Sequence, residues 1–272
     1  MTSRPAATVR PRLLGPDDPD PVGELNPGST SPFFLICDHA GNAVPAALGN
    51  LGLPDEELGR HIGIDIGALG VAMGLAERLG APLVHTRYSR LVIDCNRMPE
   101  AATSMAEVAD GTEVPGNRGL SAAARAQRIE EILAPYQARI SERLDARAAA
   151  DVPTLLVSVH SFTPSLRTRP AARPWHIGLC WAAAHGFSRH VLELLAEMEP
   201  NFVLGHNEPY DVDMANDYSI PVHGEARGLP YIEIEIRQDQ IGAAEGQSIW
   251  AERLTPVLRR AAETFHVREQ RT

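Results

Sequence analysis

The sequence predicts an α/β protein with a three-layer α/β/α arrangement, in which helices cover both faces of a mixed, mostly parallel central sheet. Two observations predict this fold. Short apolar runs alternate along the chain with amphipathic stretches of about ten residues or more. Polar side chains also stand where several of the apolar runs end. In sheets of this kind, ligands bind beyond the carboxyl ends of the strands, so we expect a site there.

The apolar runs and the helical stretches follow one another in order. We predict strands at residues 33–37, 82–86, 90–94, 154–160, 176–181 and 231–237. We predict helices at residues 65–80, 121–150, 188–199 and 246–265. Gly80 is expected to end the first helix and Ser121 to cap the second. Pro135 is expected to kink or break the second helix, because proline lacks a backbone N–H.

Length and composition fit one large domain or at most two small ones. The chain has 272 residues, of which 44% are hydrophobic and 22% are charged. Residues 1–32 are rich in Pro, Gly and Asp, and we predict a tail or a strap over the surface there. Residues 33–272 are expected to form a single α/β domain.

The charge and the cysteines narrow the class of protein. A net charge of -10 argues against nucleic acid or an anionic membrane as partner. The chain has no lysine, which excludes Schiff-base chemistry. Three cysteines, Cys37, Cys95 and Cys180, lie far apart in apolar surroundings, and the N-terminus has no apolar signal stretch. These features predict a cytoplasmic protein without a membrane span; they leave the oligomeric state open.

Two histidines at strand ends predict a metal site. His39 follows the strand 33–37, and His160 ends the strand 154–160. Two histidines and a carboxylate that leave a fourth position open are typical of catalytic zinc, although other divalent ions accept the same ligands. Asp65 is the candidate third ligand, and Asp38 is expected to orient His39 or to close the turn. The alternative is that each histidine is a hydrogen-bonded core residue.

The segment 231–237 alternates strictly between apolar and polar residues. Glu233, Glu235 and Arg237 share one face with Tyr231, and three isoleucines share the other. Charges on a buried strand are costly unless they are paired or used, so one glutamate is a candidate general base for hydrolysis. Arg237 is a second candidate catalytic residue. The alternative is an edge strand with a solvated face.

The stretch "RYSRLVIDCNR" is rich in arginine, which binds carboxylates with a planar fork. It predicts a pocket for an acidic substrate, formed by Arg90, Asn96 and Arg97. The alternative is that these arginines pair with Asp94 to hold a turn. Trp175 and His176 in "RPWHIG" are candidates for the pocket wall, and a buried position for Trp175 is the alternative.

Several motifs together resemble the N-formylglutamate amidohydrolase family. They are "DHAG", "SRLVIDCNR", "SVHSFTP", "RPWHIG", "NEPY" and "IEIEIRQD", and the resemblance extends from Phe33 to Trp250. Members of that family hydrolyse N-formyl-L-glutamate to formate and L-glutamate in bacterial histidine breakdown. The resemblance implies a hydrolase of a linear amide bond that acts on a small N-acyl acidic amino acid.

A more distant likeness joins the chain to the zinc carboxypeptidases, in "SVHSF", "EIR" and "NRM". It implies a phosphorylase/hydrolase-like, zinc-exopeptidase-like sheet, with His39 and His160 as zinc ligands. It also implies Glu235 as the base that activates water, and Asn96 and Arg97 as carboxylate binders. The chain departs from the carboxypeptidase H-x-x-E pattern, because Asn42 stands where that pattern has glutamate.

Two other functions stay open at this point. A metal-free hydrolase would use Ser161 or Cys37 as nucleophile, but the chain has no G-x-S-x-G motif. A non-catalytic protein that binds N-acyl amino acids would have a degenerate metal site, and Asn42 favours that alternative.

Overall fold

A computed structural model describes residues 12–184 and 186–269. Within these ranges the strands are β1 Val22–Leu25, β2 Phe33–Cys37, β3 Leu83–Thr86, β4 Val108–Ala109, β5 Thr112–Glu113, β6 Leu155–Phe162, β7 Ile177–Cys180, β8 Leu204–His206 and β9 Tyr231–Arg237. The α-helices are α1 Asp55–Leu58, α2 Ala68–Leu79, α3 Ala122–Arg128, α4 Ala134–Ala149, α5 Gly186–Met198 and α6 Ala244–Glu269.

One mixed sheet forms the centre of the molecule. Its strand order is β1-β3-β2-β6-β9-β7-β8, and β4 and β5 form a separate small hairpin. The pairs β1/β3 and β9/β7 are antiparallel, and the other four pairs of the sheet are parallel. The predicted mostly parallel, mixed sheet is therefore confirmed.

Helices cover both faces of this sheet, which confirms the three layers. Helices α2, α5 and α6 pack on the face that presents Leu35, Val157 and Ile234. The opposite face presents Leu156 and Tyr231, and the helical segment 122–149 covers it. Because side chains alternate along a strand, this second face also carries the polar residues further along β6 and β9.

The predicted helices are found with small shifts at their ends. Helix α2 ends at Gly80, whose φ of 59° is a left-handed conformation that suits glycine. Ser121 caps α3, since its hydroxyl accepts a hydrogen bond from the Ala124 amide at 3.2 Å. Pro135 does not break the helix, because a π-helical segment, Ile129–Leu133, precedes it and leads directly into α4.

Two predictions for the strands need correction or addition. The predicted strand at 90–94 is wrong, since these residues form a turn. Leu91, Val92 and Ile93 are buried in the core without strand pairing, so they imitate a strand only in composition. Within the segment 1–32, residues Val22–Leu25 pair with β3 as an edge strand. Residues 1–11 of that segment lie outside the described part of the chain.

The strand β9, residues 231–237, is an inner strand of the sheet. It lies between β6 and β7, so the edge-strand alternative is wrong. Glu233 and Glu235 are buried. No helix in the described residues is both long and apolar enough to cross a membrane.

Candidate active site

Three predicted metal ligands converge at the carboxyl end of the sheet. His39 follows β2, His160 lies near the end of β6, and Asp65 precedes α2. The Asp65 amide donates to the His39 carbonyl oxygen at 3.1 Å, which fixes the start of α2 against the end of β2. All three side chains are buried, and each offers one ligand atom within 4.8 Å of the other two. Asp65 Oδ2 lies 3.2 Å from His39 Nδ1 and 2.9 Å from His160 Nδ1.

A carboxylate holds the other ring nitrogen of each histidine. His39 Nε2 lies 2.7 Å from Asp94 Oδ1, and His160 Nε2 lies 3.2 Å from Asp38 Oδ2. A carboxylate there accepts the Nε2 proton and leaves Nδ1 to bind a metal, which is the usual arrangement around metal-bound histidine. The prediction that Asp38 orients His39 is wrong in its partner, because Asp38 holds His160 and Asp94 holds His39.

Asp38 is itself fixed by hydroxyl groups. The Tyr136 hydroxyl donates to Asp38 Oδ1 at 2.9 Å, and the Ser219 hydroxyl donates to the same oxygen at 2.6 Å. The Ser158 hydroxyl lies 3.3 Å from Asp38 Oδ2. Hydrogen bonds to His160 and Ser219 lower the pKa of Asp38, although burial raises it. Asp38 is therefore an anion held in one orientation beneath His160.

The charges of the cluster fit a divalent cation. Burial lowers the pKa of both histidines, but the carboxylates outweigh it and raise the pKa of His39, and that of His160 well above its usual value. The carboxylates thus favour a positive charge on the two histidines, where the three ligand atoms meet. A cation bound there would compensate the same carboxylates, and two imidazoles with a carboxylate are ligands that zinc accepts. The residues present therefore fit such an ion.

Glu235 lies beside this cluster. Its strand runs parallel to β6, and Glu235 is the register partner of His160. Its Oε2 is buried and has no hydrogen-bond partner among the described residues. Burial raises the pKa of Glu235 to about 8, with further increases from Asp65 and Glu233 against the effect of His160. A carboxyl group with a pKa near neutrality can both accept and donate a proton, as general acid–base catalysis requires.

The comparison with protein families agrees with these features. The family model described as N-formylglutamate amidohydrolase matches residues 31–242. The chain belongs to the N-formylglutamate amidohydrolase family. It is accordingly a hydrolase that acts on amide bonds, as the motifs predicted.

Two solved structures are similar to this member of the N-formylglutamate amidohydrolase family. The gene product Atu2144 from Agrobacterium tumefaciens is 32% identical, with a TM-score of 0.89 over 94% of this chain and 100% of that chain. N-formylglutamate amidohydrolase from Ralstonia eutropha JMP134 is 20% identical, with a TM-score of 0.64 over 91% of this chain and 98% of that chain. The latter likeness supports the fold alone. A comparison with curated proteins found no match.

The metal-ligand candidates of this amidohydrolase line one end of a cavity of about 400 Å³. Glu233, Glu235, Arg90, Asn96 and Arg97 also line it. The structure therefore brings together most of the residues that the sequence singled out. The parallel strands β2, β6 and β9 bring His39, His160 and Glu235 to one edge of the sheet. Arg90, Asn96 and Arg97 reach the same cavity from a turn.

The arginines of this cavity already have carboxylate partners. Arg90 donates to Asp94 Oδ2 at 2.7 Å through Nη2 and to Asp65 Oδ1 at 3.2 Å through Nη1. Arg97 forms an ion pair with Asp217. The alternative of pairing with Asp94 is therefore realised at Arg90. Both arginine side chains remain partly exposed, 26% for Arg90 and 30% for Arg97, on the cavity side.

Asn96 holds the cavity wall together. Its side-chain oxygen accepts hydrogen bonds from the Ser219 amide at 2.9 Å and the Tyr218 amide at 3.3 Å. Asn96 thereby joins the turn after Asp94 to the segment that carries Asp217. Its position in the cavity lining leaves it available to a substrate as well.

Three predicted residues are not brought into the cavity: Arg237, Trp175 and His176. Arg237 Nε donates to Asp239 Oδ1 at 2.8 Å, and its Nη1 reaches the carbonyl oxygens of residues 173–175. His176 Nδ1 accepts from the Val203 amide at 2.9 Å, and its ring stacks on Phe202. The side chains of Arg237 and His176 hold the loop 173–176 against the sheet, Trp175 is half-buried, and the cavity is lined by other residues.

Sequence reasoning missed Tyr210, which lines the cavity mouth. Its motif, "NEPY", contributes to the family resemblance but does not by itself indicate a chemical role for the tyrosine. The loop is anchored by Asn207, whose side-chain oxygen accepts from the Trp181 amide at 2.8 Å. The Glu208 carbonyl oxygen lies directly over Gly178 and Gly205, where any Cβ would overlap it. The paired glycines Gly178 and Gly205 were the sequence signal that could have indicated close packing of the "NEPY" loop on the sheet.

Proposed function

We propose that this amidohydrolase is metal-dependent and cleaves N-formyl-L-glutamate or a related N-acyl acidic amino acid. The observation that carries the proposal is the convergence of His39, Asp65 and His160 beside the buried Glu235. Family membership supports the amide bond, and the arginines of the cavity support an acidic substrate. The three unpaired cysteines support the cytoplasmic location that the sequence predicts.

In the proposed mechanism, His39, Asp65 and His160 hold a divalent ion, with zinc as the first candidate. Such an ion, when bound, lowers the pKa of water and polarises an amide carbonyl. Glu235 takes a proton from the attacking water as the water oxygen bonds to the carbonyl carbon. It returns a proton to the amine nitrogen as the C–N bond breaks, so the products are formate, or another carboxylate, and the free amino acid.

The structure gives less support to the two alternatives, a metal-free hydrolase and a non-catalytic binding protein. The Cys37 thiol is buried, and burial raises its pKa, so a thiolate nucleophile is disfavoured. The Ser161 hydroxyl donates its proton to the Ile66 carbonyl oxygen at 2.9 Å, and not to a histidine or carboxylate base. Asn42 is exposed, and in the proposed site Asp65, which lies with His39 and His160, takes the third ligand position instead.

The test is elemental analysis of purified protein together with an assay for formate release. We expect about one zinc per chain and hydrolysis of N-formyl-L-glutamate in the wild type. His160→Ala and Asp65→Asn are expected to lose both the metal and the activity while remaining folded. Metal content near zero after zinc is supplied, or equal turnover in His160→Ala, would contradict the proposal. Stoichiometric binding without turnover would select the non-catalytic alternative.

A further inference from the structure

Two motifs that have no role in this mechanism meet next to the cavity, where Arg173 contacts two of the lining residues without lining the cavity itself. Arg173, from "RPWHIG", donates through Nη1 to the Tyr210 hydroxyl of "NEPY" at 2.9 Å. The guanidinium carbon of Arg173 lies 5.0 Å from the centroid of the Tyr210 ring. Its Nη1 also lies 3.5 Å from the carbonyl oxygen of Thr163, and both Tyr210 and Thr163 line the cavity. The guanidinium is therefore restrained in one place, against Tyr210 and Thr163 of the cavity lining.

Arg173 differs from the other arginines near the cavity in its partners. Arg90 is occupied by Asp65 and Asp94, and Arg97 is occupied by Asp217. For Arg173, by contrast, no carboxylate lies at ion-pair distance among the side chains that the structure describes, those of residues 12–184 and 186–265. A substrate carboxylate would have to compete with aspartate at Arg90 or Arg97, whereas at Arg173 it would meet an uncompensated positive charge.

Tyr210 connects this charge with the reaction centre. Burial raises the pKa of the Tyr210 phenol, Glu235 raises it further, and Arg173 lowers it. The phenol therefore lies within the fields of both the proposed base and the arginine. An amide carbonyl placed beside Glu235 would leave the amino-acid part of the substrate in the same cavity as Tyr210.

We propose that Arg173, held by Tyr210, binds the side-chain carboxylate of the substrate and selects for acidic N-acyl amino acids. This inference rests on the proposed function. The side-chain carboxylate is the end of N-formyl-L-glutamate furthest from the amide, and Arg173 is held next to the cavity by the lining residues Tyr210 and Thr163. A guanidinium that is already stacked on an aromatic ring loses little freedom when it binds, and its planar fork suits a carboxylate.

The experiment compares two substrates that differ only at that group, N-formyl-L-glutamate and N-formyl-L-glutamine. In Arg173→Gln we expect kcat/KM for the glutamate derivative to fall by about 30-fold, mainly through KM, which is the order of one charge-assisted contact. The glutamine derivative is expected to change by less than about twofold. Arg173→Lys should fall between them, because lysine keeps the charge but not the fork. Arg169→Gln, an exposed arginine of the same loop, is the matched control and should behave as wild type.

An equal loss for both substrates in Arg173→Gln, or no loss for either, would overturn the assignment. If the wild type hydrolyses neither compound, the proposed function fails, and calorimetric binding of the two amino acids then decides separately. A preference for L-glutamate over L-glutamine that disappears in Arg173→Gln would still support the carboxylate site. No preference in the wild type, or one that survives the substitution, would overturn it.

Discussion

Glu233 and Glu235 share one face of β9, but their surroundings differ. Glu235 is the register partner of His160, and its Oε2 has no partner in the described part of the chain. Glu233 is the register partner of Ser158, one side-chain repeat further from the strand end. Two residues along a strand separate side chains by about 6.6–7 Å, so one carboxylate is better placed than the other to reach a substrate.

We predict that Glu235→Gln lowers kcat by about 10²–10⁴-fold, because glutamine cannot accept the proton of the attacking water. The metal content, measured by elemental analysis, should stay as in the wild type. Glu233→Gln is the matched control, with a buried carboxylate on the same face, and should lose much less activity. The assignment is wrong if Glu233→Gln loses as much as Glu235→Gln, or if Glu235→Gln remains active.

Asp38 shows how a residue without direct access to a ligand can act on it. It contacts His160 Nε2 and is fixed by Tyr136 and Ser219. We predict that Asp38→Asn weakens zinc binding by about 10–100-fold, because His160 is no longer held in its metal-binding orientation. Competition with a chromogenic chelator measures the affinity.

Tyr136→Phe provides a graded comparison for Asp38→Asn. It removes one hydrogen bond to Asp38 and keeps the buried ring, so we expect a smaller loss of zinc affinity. Circular dichroism checks that both variants fold. Zinc affinity equal to wild type in Asp38→Asn would show that His160 is positioned by packing alone.

At the scale of elements, the "NEPY" loop can pack closely on the sheet because Gly178 has no side chain. Gly178 lies on β7, opposite Glu235 of β9, and the Glu208 carbonyl oxygen occupies the space where a Cβ would be. We predict that Gly178→Ala lowers the free energy of unfolding by about 1–3 kcal/mol, since a tightly packed position must rearrange. It should also raise KM, because the rearrangement displaces Tyr210.

Urea denaturation and steady-state kinetics measure these two effects. Gly28→Ala is the matched control, because a Cβ at Gly28 would meet nothing within 4 Å. It should change the unfolding free energy by less than about 0.5 kcal/mol. Equal stability of the two variants would mean that the loop moves without cost and is not fixed by Gly178.

The π-helical segment Ile220–Glu225 packs on α4 through one buried histidine. His223 Nε2 lies 2.7 Å from the Gln137 side-chain oxygen, and burial lowers the pKa of His223 to about 4. The unfolded chain has the ordinary value of about 6.5, so between pH 6.5 and 4 the unfolded state binds more protons. The stability from this group is present above pH 6.5 and is lost as the pH falls to 4.

We therefore predict that acid removes about 3 kcal/mol of unfolding free energy through His223, since each pKa unit corresponds to about 1.4 kcal/mol. The measurement is the difference between wild type and His223→Gln in urea denaturation at several pH values from 7 to 4. This difference should shrink as the pH falls, because the variant lacks the titrating group. His206→Gln, at an exposed histidine, should show no such trend. A difference that stays constant with pH would contradict the assignment.

For the whole molecule, the sequence was sufficient to predict the layers and the cluster of His39, Asp65 and His160. Hydrophobic periodicity identifies strands and helices, and parallel strands necessarily bring their carboxyl ends together. Apolar composition alone misled at residues 90–94, where the chain buries Leu91, Val92 and Ile93 in a turn. Composition cannot distinguish a buried turn from a buried strand, because both remove the same side chains from water.

The finer arrangement of the site could not be predicted from the sequence. Which carboxylate holds which histidine depends on loop geometry, so Asp38 was assigned to the wrong histidine. Arg237 and His176 have the same chemical types as binding residues, but backbone groups occupy them in the folded chain. The arrangement of Arg173 on Tyr210 joins residues 37 positions apart and becomes visible only when the loops are placed.

Folding and metal binding should be coupled across the whole molecule. The site buries five carboxyl groups in one region, those of Asp38, Asp65, Asp94, Glu233 and Glu235. When no ion is bound, their negative charge must be compensated largely by bound protons and by Arg90. A ligand that binds only the folded chain stabilises it by about 2.7 kcal/mol at a concentration 100 times its dissociation constant. We predict that zinc at this excess raises the unfolding free energy of chelator-treated protein by about this amount, measured by urea denaturation at pH 7. His160→Ala lacks one ligand of the buried site, so zinc should not raise its unfolding free energy. Because it keeps the exposed groups that could bind zinc weakly, it is also the control for binding at the surface. An equal response in the variant would mean that zinc acts at the surface and that the buried cluster is stabilised by protons alone.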